Sequence, residues 1–337
     1  MKVIIDSAIP FVRGVLEPWA EVVYCEGSAF TRELVHDADA LIVRTRTRCN
    51  RELLEGSGVR FIATATIGRD HIDEEYCAKV GIEVASAAGC NARGVLQWVS
   101  AALKHLLTAD GCAPKDRVLG VVGVGNVGNL VAEYARHWGF EVLECDPPRM
   151  EREGGDFVSI DEIAHRCDII TLHTPLDATT RHLVDERLLG LMRPEALIIN
   201  ASRGAVVDGA AVVRSSHRYM FDVWEDEPNL DAATLRRAML ATPHIAGYSL
   251  QGKANATAMS ISALAQYFGL PLLDWYPDGV APSQPRLITW NEMCSGQGAD
   301  SGGNCTTGGL IFGGFVGIGK RPAASASPKT DNNRDIT

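Results

Sequence analysis

The sequence predicts an α/β fold in which one parallel-sheet unit is inserted into another, and three observations predict it. Residues 1–90 alternate short apolar runs with segments of helical period. Val118–Val122 is an apolar run that leads through three glycines into another helical segment. From residue 168 to residue 242, further apolar runs each end in polar or charged residues. Such alternation belongs to parallel sheets covered by helices, whose functional loops lie beyond the strand carboxyl ends.

Taken in order, Lys2–Asp6 reads as the first strand, followed by a helix over 12–19 and a strand at Glu21–Cys25. Residues 31–38 read as helical, Ala40–Val43 as a buried strand, and a short helix starts at Asn50. Residues 60–65 and 82–85 complete the strands of this unit. Residues 91–109 carry the apolar period of a long amphipathic helix that leads out of it. In the second unit, strands at 168–173, 196–200 and 219–223 come after the glycine turn, with 239–242 after them. A helix over 254–268 is placed to cross back. The division expected is a first domain over 1–92, an inserted domain over 93–253, and a return helix over 254–280.

Gly123, Gly125 and Gly128 space a G-x-G-x-x-G turn, with Asn126 and Val127 between them. The first glycine permits a tight turn, the second a close approach to a pyrophosphate, and the third close packing of helix on strand. The helix after the turn offers free N–H groups and positive dipole charge to that anion. Ordinary strand-to-helix turns share such glycines, so the register of the next strand decides between the two. The strand Glu141–Cys145 ends at Asp146, eighteen residues beyond Gly128, where an acid that binds the adenosine ribose hydroxyls falls. A carboxylate there repels a 2′-phosphate and favours NAD. Arg149, three residues on, leaves NADP open.

At 337 residues there is room for about two domains. The net charge of −10 argues against a general nucleic-acid surface. No apolar stretch reaches membrane-spanning length, and the N-terminus reads as a strand and not a signal peptide, so a cytoplasmic protein is expected. The nine cysteines are scattered without a C-x-x-C pair, which predicts reduced thiols and no metal site.

Arg203, Glu227 and His244 each come just after one of three successive strands of the second unit, whose ends converge on the cofactor crevice. A guanidinium can hold a carboxylate in two bonds while polarising a neighbouring carbonyl. An imidazole can take an alcohol proton as hydride leaves. A carboxylate beside it orients the ring and favours its charged form. Singly, each residue is as well explained by a surface ion pair, a solvated acidic run or a structural histidine; the joint placement points to alcohol–ketone redox chemistry.

Over residues 1–270 the chain resembles the D-2-hydroxyacid dehydrogenase superfamily. The resemblance rests on Val121-Val-Gly-Val-Gly-Asn-Val-Gly128, Ile199-Asn-Ala-Ser-Arg-Gly-Ala-Val-Val-Asp208 and Asp222-Val-Trp-Glu-Asp-Glu-Pro228. Ala63-Thr-Ala-Thr-Ile-Gly-Arg-Asp-His-Ile-Asp73, Ala88-Gly-Cys-Asn-Ala92, Cys145-Asp-Pro-Pro148 and His244-Ile-Ala-Gly-Tyr-Ser-Leu-Gln-Gly-Lys253 are similar to the subgroup that oxidises 4-phospho-D-erythronate in vitamin B6 (pyridoxal phosphate) synthesis. The resemblance implies a Rossmann-type NAD domain inserted in a discontinuous flavodoxin-like substrate domain. It implies that Arg203 and Glu227 support His244 as proton donor and acceptor. Asp146, Thr174, Ala201, Ser202, Arg203, Asp222 and Gly247 would contact NAD beside the glycine loop. Thr45, Thr66 and Tyr248 would hold a small phosphorylated 2-hydroxy acid, with Arg44, Arg46 and Arg69 adding positive charge. Relatives of this kind are homodimers. The alternatives are a relative acting on 3-phosphoglycerate, glyoxylate or hydroxypyruvate, or an NAD-binding protein without catalysis.

Two departures carry structural expectations. The stretch between Asp208 and Asp222 is about five residues shorter than the family pattern, more than one helical turn. A clipped helix or a poorly fed strand should result, with Glu227 displaced and activity impaired. Beyond Leu270 the family's C-terminal dimerisation domain is missing, and the Gly-, Ser- and Pro-rich residues 281–337 predict a disordered tail.

Overall fold

The structure, a computed structural model, describes residues 1–282 and 285–295. The first unit runs β1 (Lys2–Asp6), β2 (Glu21–Cys25), α1 (Arg32–Val35), β3 (Ala40–Val43), α2 (Arg51–Leu54), β4 (Phe61–Thr64), α3 (Glu74–Val80) and β5 (Glu83–Ser86). The second opens with α4 (Ala92–Asp110), then β6 (Val118–Val122), α5 (Asn126–Trp138), β7 (Glu141–Cys145), α6 (Pro147–Glu153), α7 (Ile160–Arg166) and β8 (Ile169–Leu172). It closes with α8 (Glu186–Leu191), β9 (Leu197–Asn200), α9 (Gly209–Arg214), β10 (Arg218–Phe221), α10 (Ala232–Arg237) and β11 (Leu240–Ala241). Two helices complete the described chain, α11 (Leu250–Phe268) and α12 (Trp290–Ser295).

Two parallel sheets result, in the orders β2-β1-β3-β4-β5 and β11-β10-β9-β8-β6-β7. The first order is flavodoxin-like, and chain direction across each sheet reverses once, between β1 and β3 and between β6 and β8. Every residue of β3, β4, β8 and β9 is buried, as expected for strands covered on both faces. α11 leaves the second unit and covers the first sheet. Its Ile261 and Leu264 pack with Val3, Ile5 and Phe61, and Tyr267 lies 5.0 Å from the Phe61 ring.

Most helices begin on a side chain that accepts a backbone N–H. Asn50, Asp73, Asp146, Ser159, Asp185, Asp208, Asp231 and Ser249 all do so, satisfying donors that a helix start leaves unpaired. The two long helices that open the second unit do not. α4 starts from Asn91 and α5 from Gly125, neither with a side-chain cap bond.

Several local expectations are corrected. Residues 12–19 form turns, not a helix. Phe11 and Gly14 adopt left-handed φ values of 65° and 84°, and Pro18 brings no N–H. The helix expected over 31–38 shrinks to α1, and the return helix starts at Leu250, so the domain boundary expected at 253/254 falls inside α11. The shortened stretch before Asp222 does clip α9 to six residues, but β10 is not poorly fed. It pairs with β9 from Arg218 to Phe221 without a break.

The tail expectation is corrected over part of its length. Residues 285–295 dock on the second unit. Trp290 lies 5.5 Å from the Trp138 ring and 6.1 Å from Phe140. The Tyr134 hydroxyl donates to the Arg286 carbonyl at 2.7 Å, and the Trp138 indole N–H to that of Ile288 at 2.9 Å. Residues 296–337 lie outside the described residues. Among the described residues the eight cysteines are free thiols, and no helix is long and apolar enough to cross a membrane.

Candidate active site

Beyond the carboxyl ends of β6 and β7 lies a cleft of about 560 Å³ lined by Gly125, Asn126, Arg149, Asn91 and Asn255, among others. Gly123 has a φ of 84° and lies so close to the His173–Thr174 backbone that a Cβ would collide with it. Gly128 packs on the Gly123 carbonyl with no room for a Cβ. A Cβ on Gly125, by contrast, would meet open space. Gly123 and Gly128 thus have the packing grounds expected of them, and the open space beside Gly125 leaves room for a ligand.

Asp146 ties the turn to the next strand. Its carboxylate accepts the Val124 N–H at 2.8 Å and the Arg149 N–H at 3.0 Å, and each oxygen keeps lone-pair capacity for a ribose hydroxyl. Arg149 is engaged elsewhere. It donates to the Val124 carbonyl at 2.7 Å and, through Nε and Nη2, to Glu153 at 3.0 and 2.8 Å.

The cleft fits a dinucleotide on several counts. The Thr174 hydroxyl and the Asn91 side-chain oxygen are both buried without a hydrogen-bond partner, a costly state that a ligand would relieve. The uncapped α5 start offers N–H groups and positive dipole charge to a pyrophosphate. Ala201 and Ser202 come just after β9, the latter with its hydroxyl on the Asn200 side chain at 2.8 Å. Gly247 packs on the Asn91 amide with no room for a Cβ.

Past β9, β10 and β11, Arg203, Glu227 and His244 come together. Glu227 Oε2 lies 2.8 Å from His244 Nδ1, and Oε1 accepts the Trp224 N–H at 2.6 Å. The displacement of Glu227 expected from the shortened stretch is therefore absent. Arg203 reaches toward the first unit, with Nη1 on the Ser202 carbonyl at 2.8 Å and Nη2 3.5 Å from Asp70.

Charge tunes the pair. The Glu227 bond, opposed by burial and by Arg203, raises the His244 pKa above its ordinary value. Burial pushes the Glu227 carboxyl up, but the His244 bond, the Trp224 N–H and the Arg203 charge outweigh it and hold it below the usual range. Each partner thus favours the other's charged form.

Asp222 is 1% exposed and faces the chain itself. Its carboxylate accepts the Ile245 and Ala246 N–H groups, each at 2.8 Å, and the Thr242 hydroxyl. Thr242 in turn accepts the Trp98 indole N–H at 3.0 Å. Sequence reasoning misses this support behind His244; an acid at the end of a buried strand is the one local signal that points to it.

The residues expected to hold substrate lie at the ends of β3 and β4 and before α11. Thr45 is exposed, and the Thr66 hydroxyl pairs with Thr64 at 2.7 Å and with the Gly68 carbonyl at 3.2 Å. Tyr248 is 67% exposed. Of the three arginines, Arg69 is held by Glu74 at 3.1 Å and Arg44 lines a cavity.

One cluster with metal-ligand types occurs among the described residues: His182, Asp208 and Glu225. Its atoms are already engaged, since Glu225 binds His182 at 2.7 Å and the Gly209 N–H at 3.3 Å, and Asp208 caps α9. This reads as scaffolding for the Arg203 loop.

Residues 97–246 match the family model for the NAD binding domain of D-isomer specific 2-hydroxyacid dehydrogenases. The chain is 47% identical over 298 residues to the erythronate-4-phosphate dehydrogenase of Bacteroides thetaiotaomicron, covering 85% of each chain. It is also 47% identical to that of Ectopseudomonas mendocina, over 80% of this chain and 73% of the relative. Among solved structures, the NAD+-bound 3-phosphoglycerate dehydrogenase of Entamoeba histolytica superposes with a TM-score of 0.67 at 25% identity, over 83% of this chain and 99% of the other.

Proposed function

This chain belongs to the D-isomer specific 2-hydroxyacid dehydrogenases, in the group of the erythronate-4-phosphate dehydrogenases, and on that premise we propose that it oxidises 4-phospho-D-erythronate to the 2-oxo acid, a step of pyridoxal phosphate synthesis. The enzyme is an NAD-dependent dehydrogenase. The observation that carries the mechanism is the His244–Glu227 bond of 2.8 Å beside the Arg203 guanidinium.

His244 donates its Nδ1 proton to Glu227, which leaves Nε2 as the acceptor for the C2 hydroxyl proton. Glu227 stabilises the imidazolium that results and keeps the ring in that orientation. Arg203 holds the substrate carboxylate and polarises the C2 oxygen as it becomes a carbonyl. Bound NAD supplies the acceptor for the hydride that leaves C2. Asn126, Val127 and Gly128 at the α5 start would hold the pyrophosphate and Asp146 the ribose hydroxyls, with Thr174 and Gly247 as further contacts to NAD. Thr45, Thr66 and Tyr248 hold the phosphorylated substrate.

The test is turnover by NADH absorbance on a panel of phosphorylated and unphosphorylated 2-hydroxy acids, with native protein and His244→Ala. The native protein should prefer 4-phospho-D-erythronate, and the variant should lose turnover while its NAD affinity stays within about twofold. Near-native turnover in the variant would remove His244 from the proton transfer.

A further inference from the structure

We propose that Arg44 and Lys253, brought together across the reversal point of the first sheet, form the seat of a phosphate monoester, the distal group of the substrate. The inference deepens the reading above and rests on it for the identity of that substrate. A cavity of about 120 Å³ lies there, between the turn after β1 (Ala8, Ile9 and Pro10), Arg44 after β3, and Tyr248 and Lys253 at the start of α11. The order β2-β1-β3 makes this the point where neighbouring crossovers diverge, and open α/β sheets bind ligands in that crevice.

Both cations lack a carboxylate among the described residues. The Arg44 guanidinium meets only the Ala8 carbonyl, at 3.5 Å. The Lys253 ammonium lies 3.9 Å from the centre of the Tyr248 ring, a contact that orients it without neutralising it. Asp6, the acid at the end of β1, is buried against the Ala8 N–H and Gly27. Ala65, Ile9 and Ala256 form apolar walls that lower the local dielectric and strengthen whatever ion pair forms. A compact dianion would meet an arginine fork on one side and a lysine point charge on the other.

The lining also sets the distance to the chemistry. His244 directly precedes the turn Ile245–Tyr248, in which the Tyr248 N–H donates to the Ile245 carbonyl at 2.8 Å. Tyr248 thus becomes the platform for Lys253, and Lys253 the residue that contacts phosphate. An acid with its phosphate in this seat would reach His244 over a fixed span, which discriminates by length as well as charge.

The experiment compares native protein with Lys253→Met, Lys253→Arg and Arg44→Met, all loaded with NAD. For 4-phospho-D-erythronate against unphosphorylated D-erythronate, the preference in kcat/KM should fall by about tenfold or more in both methionine variants, chiefly through KM. Lys253→Arg should recover most of it. Inorganic phosphate, compared with chloride at matched ionic strength, should raise the native Tm saturably and leave Lys253→Met unmoved; this readout needs no turnover. No saturable phosphate effect, or an equal loss on both acids, overturns the seat. Saturable phosphate binding without turnover of 4-phospho-D-erythronate keeps the seat and overturns the substrate.

Discussion

Asp222 and His244 are joined through the backbone: the Asp222 carbonyl accepts the His244 N–H at 2.7 Å, while its carboxylate takes the next two N–H groups at 2.8 Å each. His244 itself sits at a φ of 55°, a sparsely populated conformation that persists only where the surroundings over-determine it. Asp222 supplies that determination.

Asp222→Ala would leave two N–H groups and the Thr242 hydroxyl without their acceptor. A loss of about 2–4 kcal/mol is expected, together with a fall in kcat because a catalytic group has shifted. Urea unfolding followed by tryptophan fluorescence checks the first. A midpoint equal to that of the native protein would mean that the turn holds His244 unaided.

The His244–Glu227 bond sets a pH dependence. Oxidation needs a neutral imidazole, so kcat/KM should rise with pH and level off above the His244 pKa, which the Glu227 bond holds above the usual value of about 6.5. Glu227→Gln removes the largest cause of that rise, so the limb should move to lower pH while the plateau falls. The profile of NADH formation at saturating NAD decides it; an unmoved limb would assign the titration to another group.

Cofactor choice is expected to rest on two residues acting together. Asp146→Ser removes the repulsion of a 2′-phosphate but leaves Arg149 clamped by Glu153 and the Val124 carbonyl. The NAD over NADP preference in kcat/KM should drop by about tenfold in the single variant, and further when Glu153→Gln frees the guanidinium. If the double variant prefers NAD as strongly as the native enzyme, another part of the cleft discriminates.

The two sheets and the cofactor turn are legible in the sequence because local patterns carry them. The buried runs at β3, β4, β6, β8 and β9 are short, apolar and bounded by turn residues, and the glycine spacing is a local requirement. Apolar spacing over 12–19 suggests a helix, but Gly14 and Pro18, both visible in the chain, override it. The length of α9 is a poor guide to Glu227. Its position depends more on strand pairing and on Trp224, whose indole N–H donates to the Thr242 carbonyl at 2.9 Å. The Arg44–Lys253 cavity and the docking of Trp290 on Trp138 are hidden for another reason. Their partners lie far apart in sequence, and no local period records such contacts.

The missing caps of α4 and α5 have a bearing on how the protein lives between turnovers. Where most helices in this chain carry their own end-stop, these two leave it to a visitor. Bound NAD would then finish the architecture as well as the reaction: it would offer acceptors to the N–H groups at the α5 start and a partner to the Asn91 oxygen. At a hundredfold excess over its dissociation constant such a ligand adds about 2.7 kcal/mol to the folded state. Starved of dinucleotide, the enzyme would lose part of its endurance along with its activity, so its survival would track the cofactor supply.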